Sequence, residues 1–393
     1  MIIVGAGVFG LTAALELRRR RWAVRLTDPG PIPHPLAAST DVSKVVRLEY
    51  GSDEFYMAWA EEAREGWLRW NERWPEPLFH ETGVLMLCRR AFAPGDFEAE
   101  SFRLLTLRGH RPERLAPEAI ARRFPAWNAR LFQDGFYHSR GGYAESGRVI
   151  AALADEARRQ GVEILEGAGV TRWVMRGPRL EGVELADGSR HRSDEIVLAV
   201  GAWSPGLVPE LASLLRPVGQ PVFHLRPADP TRFEASVFPV FTADVSKTGW
   251  YGFPLNRQGN VKLANHGPGR PTDPSGDRVV AETDEARLRV FLRETFPSLA
   301  EAPIVERRLC LYCDTPDGHF WIDRDPDRPG LTVAAGGSGH AFKFAPVLGP
   351  LIADVVEGRD HPLRSRFRWR PEAATVSARE AARFGGEPTP RQP

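Results

Sequence analysis

The chain has 393 residues, 42% of them hydrophobic and 26% charged, with a formal net charge of +1. That length exceeds the usual single domain and the composition is that of a globular protein able to bury a cofactor. The balanced charge gives nucleic acid no footing, and no apolar run approaches the ~18 residues of a membrane span.

Residues 1–4 read as a buried parallel strand, followed by Gly5, Gly7 and Gly10 as GxGxxG with Val8 and Phe9 inside the motif. Leu11, Ala14, Leu15 and Arg18 then trace a helix face, and residues 23–27 form a second strand ending at Asp28. This is a βαβ unit. Its glycines allow a tight turn and close approach of the backbone to a pyrophosphate, while the helix N-terminus offers free N–H groups. Asp28 is placed for the adenosine ribose of a dinucleotide. The alternative is a plain glycine turn. The basic run at 18–21 closes the helix and reads as a solvated face. The opening has no basic leader ahead of its apolar stretch, so a cytoplasmic protein without a signal peptide is expected.

Large apolar residues at Phe55, Trp59, Ala63, Trp67, Trp70 and Trp74 mark one side of a helix over 52–74, with core packing as their use. Another helix is expected from a cap at Ser146 to Gly161, then a hairpin at Asp187-Gly188 and a buried strand stopping at Gly201. Residues 217–313 carry short β-like runs broken by glycine and proline, with one helix at 283–296. The last unit is again strand, glycine-rich turn containing Gly337, Gly339 and His340, and a helix with Pro346 near its start and Gly358 beyond its end.

Dinucleotide-type elements thus stand at the beginning, middle and end of the chain. The fold class expected is α/β: a discontinuous Rossmann-like FAD-binding domain (1–79, 143–215 and 317–370) and a mostly antiparallel β-sheet substrate domain with flanking helices (80–142 and 216–316). Residues 371–393, polar and proline-rich, read as a loose tail. The glycine motif does not separate NAD from FAD, but a second glycine-rich turn late in the chain suits the longer cofactor. Of the three cysteines, Cys88 reads as a core residue, and Cys310 and Cys313 lack the further ligands a metal site needs.

GAGVFG, SKVVRLEYG, TGVL, LAVGAW, WYGFPLNRQGNVKLANH, CLYCDTPDGHF and GGSGHAFKFAP, in this order, resemble the monomeric sarcosine oxidase branch of the D-amino-acid-oxidase-like flavoproteins. The resemblance implies an FAD-dependent oxidase of a secondary amine of amino-acid type, producing an imine and hydrogen peroxide and acting as a monomer on a small-molecule amine and O2. It implies a flavin joined covalently to Cys310, with Cys313 a bystander, and Lys262 beside the flavin assisting oxygen reduction. A fixed cation there lowers the cost of the negative charge that develops on oxygen. Strand alternation puts Lys262, Ala264 and His266 on one face; by alternation alone Lys262 would face solvent.

By the same resemblance Arg47 and Lys343 clamp the substrate carboxylate, His266 and Tyr251 line the substrate side, with Thr242 and Trp250 nearby, and Tyr312 closes the pocket. The helix after Lys343 would face its N-terminus to the flavin. Ser39, Thr40 and Lys44 depart from the His-His pair and arginine of sarcosine-oxidising relatives, and Lys44, a cofactor contact, looks like the branch acting on fructosyl amino acids. A dehydrogenase using a non-oxygen acceptor, a non-catalytic flavin-binding subunit and an NAD-dependent dehydrogenase stay open as alternatives.

Overall fold

Ile2–Val4 is apolar on both faces and lies buried between two parallel neighbours, with Ile2 opposite Arg25 on one side and Ile196 on the other. The computed structural model describes residues 1–375 and 380–385. In it these strands belong to a six-stranded sheet ordered Trp321–Arg324, Leu331–Ala335, Ile196–Leu198, Ile2–Val4, Arg25–Asp28, Glu163–Glu166. Only the edge strand Trp321–Arg324 runs antiparallel to its neighbour. Distant stretches of sequence therefore build one sheet.

Helix Val8–Arg19 covers this sheet and packs closely on helix Ala345–Val356, because Gly349 has no side chain to collide with the Thr12 carbonyl. Helix Glu54–Asn71 is shorter than the apolar spacing suggests; the Asp53 carboxylate caps it by accepting from the Tyr56 N–H at 3.1 Å. Its Trp59 and Trp67 are buried, and Trp67 Nε1 donates to the Lys343 carbonyl at 2.7 Å. The tryptophan face thereby holds the last glycine-rich turn in place.

The second sheet has nine strands. Val240–Ala243 runs parallel to Val84–Cys88, and every other pairing is antiparallel. Phe238, Phe241, Phe296 and Trp127 fill its core edge to face, with Trp127 and Phe296 ring centres 4.5 Å apart. Helix Glu282–Thr295 lies against this cluster through Leu288, Phe291 and Leu292. A three-stranded sheet of Lys44–Val46, Gly142–Ala144 and Phe79–His80 carries Lys44. The hairpin expected at Asp187-Gly188 joins Arg179–Leu185 to Arg190–Arg192, with Gly188 at φ +82°.

Three local expectations are corrected. Ser146 is the first helical residue rather than the cap, because its hydroxyl donates instead to the Asp41 carbonyl at 2.8 Å. Within the basic run only part is solvated: Arg20 is enclosed by Glu16, Asp354 and Glu357, all within 2.6–2.7 Å. Of the expected loose tail, 376–379 and 386–393 lie outside the described residues, but 380–385 pack on the protein. Ala382 is buried, the Phe384 N–H donates to the His266 carbonyl at 2.9 Å, and Arg383 reaches Asp314 at 2.6 Å. Polar composition suggested a tail; here the polar groups have buried counter-charges.

Candidate active site

The C-terminal ends of the parallel strands and one face of the larger sheet meet at a cavity of about 480 Å³. Gly5, Gly7, Val8, Phe9, Asp28, Lys44, Arg47, Gly201, Tyr251, Lys262, His266, Cys310, Tyr312, Gly337, Gly339, His340 and Lys343 all line it. Gly10 does not; it lies behind the turn, where a side chain would overlap the Gly5 carbonyl oxygen. Gly5 itself has φ +102°, and a Cβ there would stand 2.6 Å from the Ala199 carbonyl. The first helical N–H, on Val8, is taken by Ser39 Oγ at 3.0 Å. The Asp28 carboxylate accepts from the N–H groups of Ala6 at 2.8 Å and Gly30 at 3.1 Å, and burial still raises its pKa. Ala6 and Asp28 thus fix the two ends of the turn to each other.

Further along the cavity, Lys262 is not the solvent-facing lysine of simple alternation. It is 2% exposed, donates to Asp41 Oδ2 at 2.7 Å and the Ser43 carbonyl at 2.5 Å, and stands 4.6 Å from the Phe253 ring centre. Burial lowers its pKa to about 8 against the pull of Asp41. Burial works to raise the Asp41 carboxyl, but Lys262 and Lys44 outweigh it and hold it well below the usual range. Lys44 Nζ lies 3.7 Å from Asp41 and 3.8 Å from Cys310 Sγ. Cys310 is buried and free; Cys313 also reaches the cavity wall but packs in a different core cluster, its thiol pushed up to about 12 by burial.

At the far end Arg47 Nη2 donates to Glu380 Oε1 at 2.8 Å, and His266 Nε2 donates to Glu380 Oε2 at 3.0 Å. Nδ1 of His266 is left to accept from the Tyr312 hydroxyl at 3.3 Å, and the Tyr251 ring meets the imidazole edge-on. Burial keeps His266 neutral-leaning by lowering its pKa. Lys343 Nζ donates to the Tyr50 hydroxyl at 2.8 Å. His340 Nε2 must donate to the Gly318 carbonyl, so its Nδ1 accepts from Tyr50. Burial, aided by Lys343, lowers His340 to about 3, and burial with Arg47 depresses Lys343 well below the usual ammonium range.

The sequence reading missed Asp41, Tyr50 and Glu380. Asp41 had a signal, a carboxylate three residues before Lys44; Glu380, more than 300 residues from its partner Arg47, had none. Thr242 lines the cavity, but Trp250 does not: it stacks on Phe291 in the sheet core, ring centres 4.9 Å apart. Thr27 Oγ1, Gln220 Oε1, Thr242 Oγ1 and Arg47 Nη1 are buried along the lining with no hydrogen-bond partner among the described residues. These unpaired polar groups stand in residues of the cavity wall, and the side-chain-free glycine turn leaves room for phosphates, so the residues present fit a dinucleotide.

The profile of the family described as FAD dependent oxidoreductase matches residues 1–355. Monomeric sarcosine oxidase of Bacillus sp. (strain B-0618) is 28% identical over 364 residues, covering 90% of this chain and 91% of that protein. N-methyl-L-tryptophan oxidase of Salmonella heidelberg (strain SL476) is 29% identical over 365 residues, 91% of this chain and 95% of that protein. Among solved structures, fructosamine oxidase (Amadoriase II) from Aspergillus fumigatus superposes with a TM-score of 0.84 at 27% identity, covering 98% of this chain and 93% of that one.

Proposed function

The chain belongs to the FAD dependent oxidoreductase family, and on that premise we propose that it is an oxidase of a secondary amine of amino-acid type: N-alkyl, cyclic or fructosyl. Sarcosine oxidase, N-methyl-L-tryptophan oxidase and fructosamine oxidase, its relatives and structural neighbour, support this class. The carrying observation is that one cavity is lined by the glycine turn with Asp28, by Arg47 with Lys343, and by the Asp41-held Lys262.

FAD would be held by the backbone around Gly5, Gly7, Val8 and Phe9, by Asp28, and by the turns at Gly201, Gly337, Gly339 and His340, and the chemistry it would supply there is that of a hydride acceptor whose electrons can pass on to oxygen. Its covalent attachment is assigned to Cys310, supported by a buried, disulfide-free thiol on the cavity wall beside Lys44. The remaining work is positioning and electrostatics. Arg47 Nη1 and Lys343 Nζ orient the substrate carboxylate, and His266, Tyr251 and Tyr312 wall the amine off from water. Lys262, with a pKa of about 8, is mostly protonated at neutral pH and presents a fixed cation to developing negative charge.

Partners are confined to the small-molecule amine and O2, for a monomer placed in the cytoplasm, without nucleic acid or membrane. No described helix is long and apolar enough to cross a membrane. Purified enzyme supplied with N-methyl amino acids, proline or a fructosyl amino acid should form one hydrogen peroxide per amine consumed. Turnover only with an artificial acceptor would contradict the oxidase assignment. The flavin should stay with acid-precipitated protein and leave it in Cys310→Ala; release from the unmodified chain would contradict the covalent bond alone.

A further inference from the structure

Glu380 brings a carboxylate of the chain itself onto Arg47. The contact is built rather than incidental: the Glu380 side chain is 3% exposed and is also held by His266. Its segment is fastened by the Phe384 N–H to the His266 carbonyl, and by Arg383 to both Asp314 and the Gly267 carbonyl at 3.0 Å. An arginine fork normally receives a carboxylate through two parallel bonds. Here Nη2 is spent on Glu380, and only Nη1 is buried and unpartnered among the described residues.

If Arg47 and Lys343 receive the substrate carboxylate, as the proposed function has it, that carboxylate must share one buried guanidinium with Glu380. Like charges in one such site oppose each other's ionised form. We propose that Glu380 is a specificity-determining residue: it occupies half of the Arg47 fork and so sets how strongly the pocket prefers an amine with a carboxylate over the same amine without one. Amino-acid substrates then bind through Nη1 and Lys343 alone, more weakly than an unshared fork would hold them.

The test compares the unmodified holoenzyme with Glu380→Gln and Glu380→Asp. Acetate is titrated while the flavin spectrum is followed, and kcat/KM is measured for two matched pairs, sarcosine with dimethylamine and proline with pyrrolidine. Glu380→Gln should bind acetate about 10-fold more tightly, the effect of removing one neighbouring like charge. It should raise the selectivity for each carboxylate-bearing partner by a similar factor. Glu380→Asp keeps the charge but shortens its reach, and should tighten acetate by about 3-fold; it serves if the glutamine variant does not fold. Acetate affinity that is unchanged or weaker in a variant that folds and retains its flavin would overturn the proposal, as would no acetate binding in any form. The acetate titration needs no turnover, so an enzyme that oxidised none of these amines would count against the proposed function while the titration still judged Glu380.

Discussion

Two parts of the cavity wall are built by different means. At the glycine turn the backbone does the work: Gly5 and Gly10 make room, and the Asp28 carboxylate is tied to N–H groups two and 22 residues away. Around Lys262 and Arg47 buried side-chain charges do it, both set against an acid brought in by the fold: Lys262 with Asp41 across 221 residues and Arg47 with Glu380 across 333. A backbone site tolerates little change in shape; a charge-paired site tolerates little change in charge.

The largest effect is expected where shape is most constrained. Gly10→Val drives its side chain into the Gly5 carbonyl and should abolish flavin retention, read as the loss of yellow colour on purification. A yellow, fully loaded Gly10→Val would break the comparison. Next comes Lys262→Met, which should slow reoxidation of the reduced flavin by O2 by about 100- to 1,000-fold, the usual cost of removing a fixed electrostatic stabiliser. Reduction by the amine should change far less, and stopped-flow measurement of the two half-reactions separates them. Arg47→Met leaves the Glu380 carboxylate buried with His266 as its remaining hydrogen-bond partner among the described residues; losing the partner of a buried charge costs about 3–5 kcal/mol. Thermal unfolding should show that loss and KM for the amine should rise, whereas unchanged stability would mean that the pair carries no weight.

The smallest effect is a pH dependence. Lys262 is charged below its pKa of about 8 and neutral above it, so reoxidation by O2 should fall as pH rises through about 8, by roughly 10-fold per unit once the neutral form dominates. Lys262→Met should lose this dependence. A profile flat from pH 6 to 10 in the unmodified enzyme would remove Lys262 from the oxygen step.

The same contrast explains what was legible in the sequence. Gly5, Gly7, Gly10 and Asp28 act through local spacing, and local spacing is written in the chain. The strand alternation that groups Lys262 with His266 was legible too, but not its direction, since burial depends on which sheet face the rest of the chain covers. Arg47, Lys343 and Tyr312 were found by resemblance to a family, with no sign of the groups that hold them: Glu380, Tyr50 and His266. Asp41 and Glu380 are ordinary acids in sequence, and their roles arise only when the fold sets them against Lys262 and Arg47. Trp250 was misplaced for the complementary reason: a strand has two faces, and its ring turns to Phe291 instead of the cavity.

The central claim, that this cavity couples amine oxidation to oxygen reduction, is tested most directly by the visible spectrum of the purified holoenzyme under anaerobic conditions. Sarcosine, proline, pipecolate and a fructosyl amino acid would be added in turn. The account predicts that at least one bleaches the flavin band and that admitting air restores it with release of hydrogen peroxide. A flavin that dithionite reduces but none of these amines bleaches, or one that an amine bleaches and air does not restore, would contradict it.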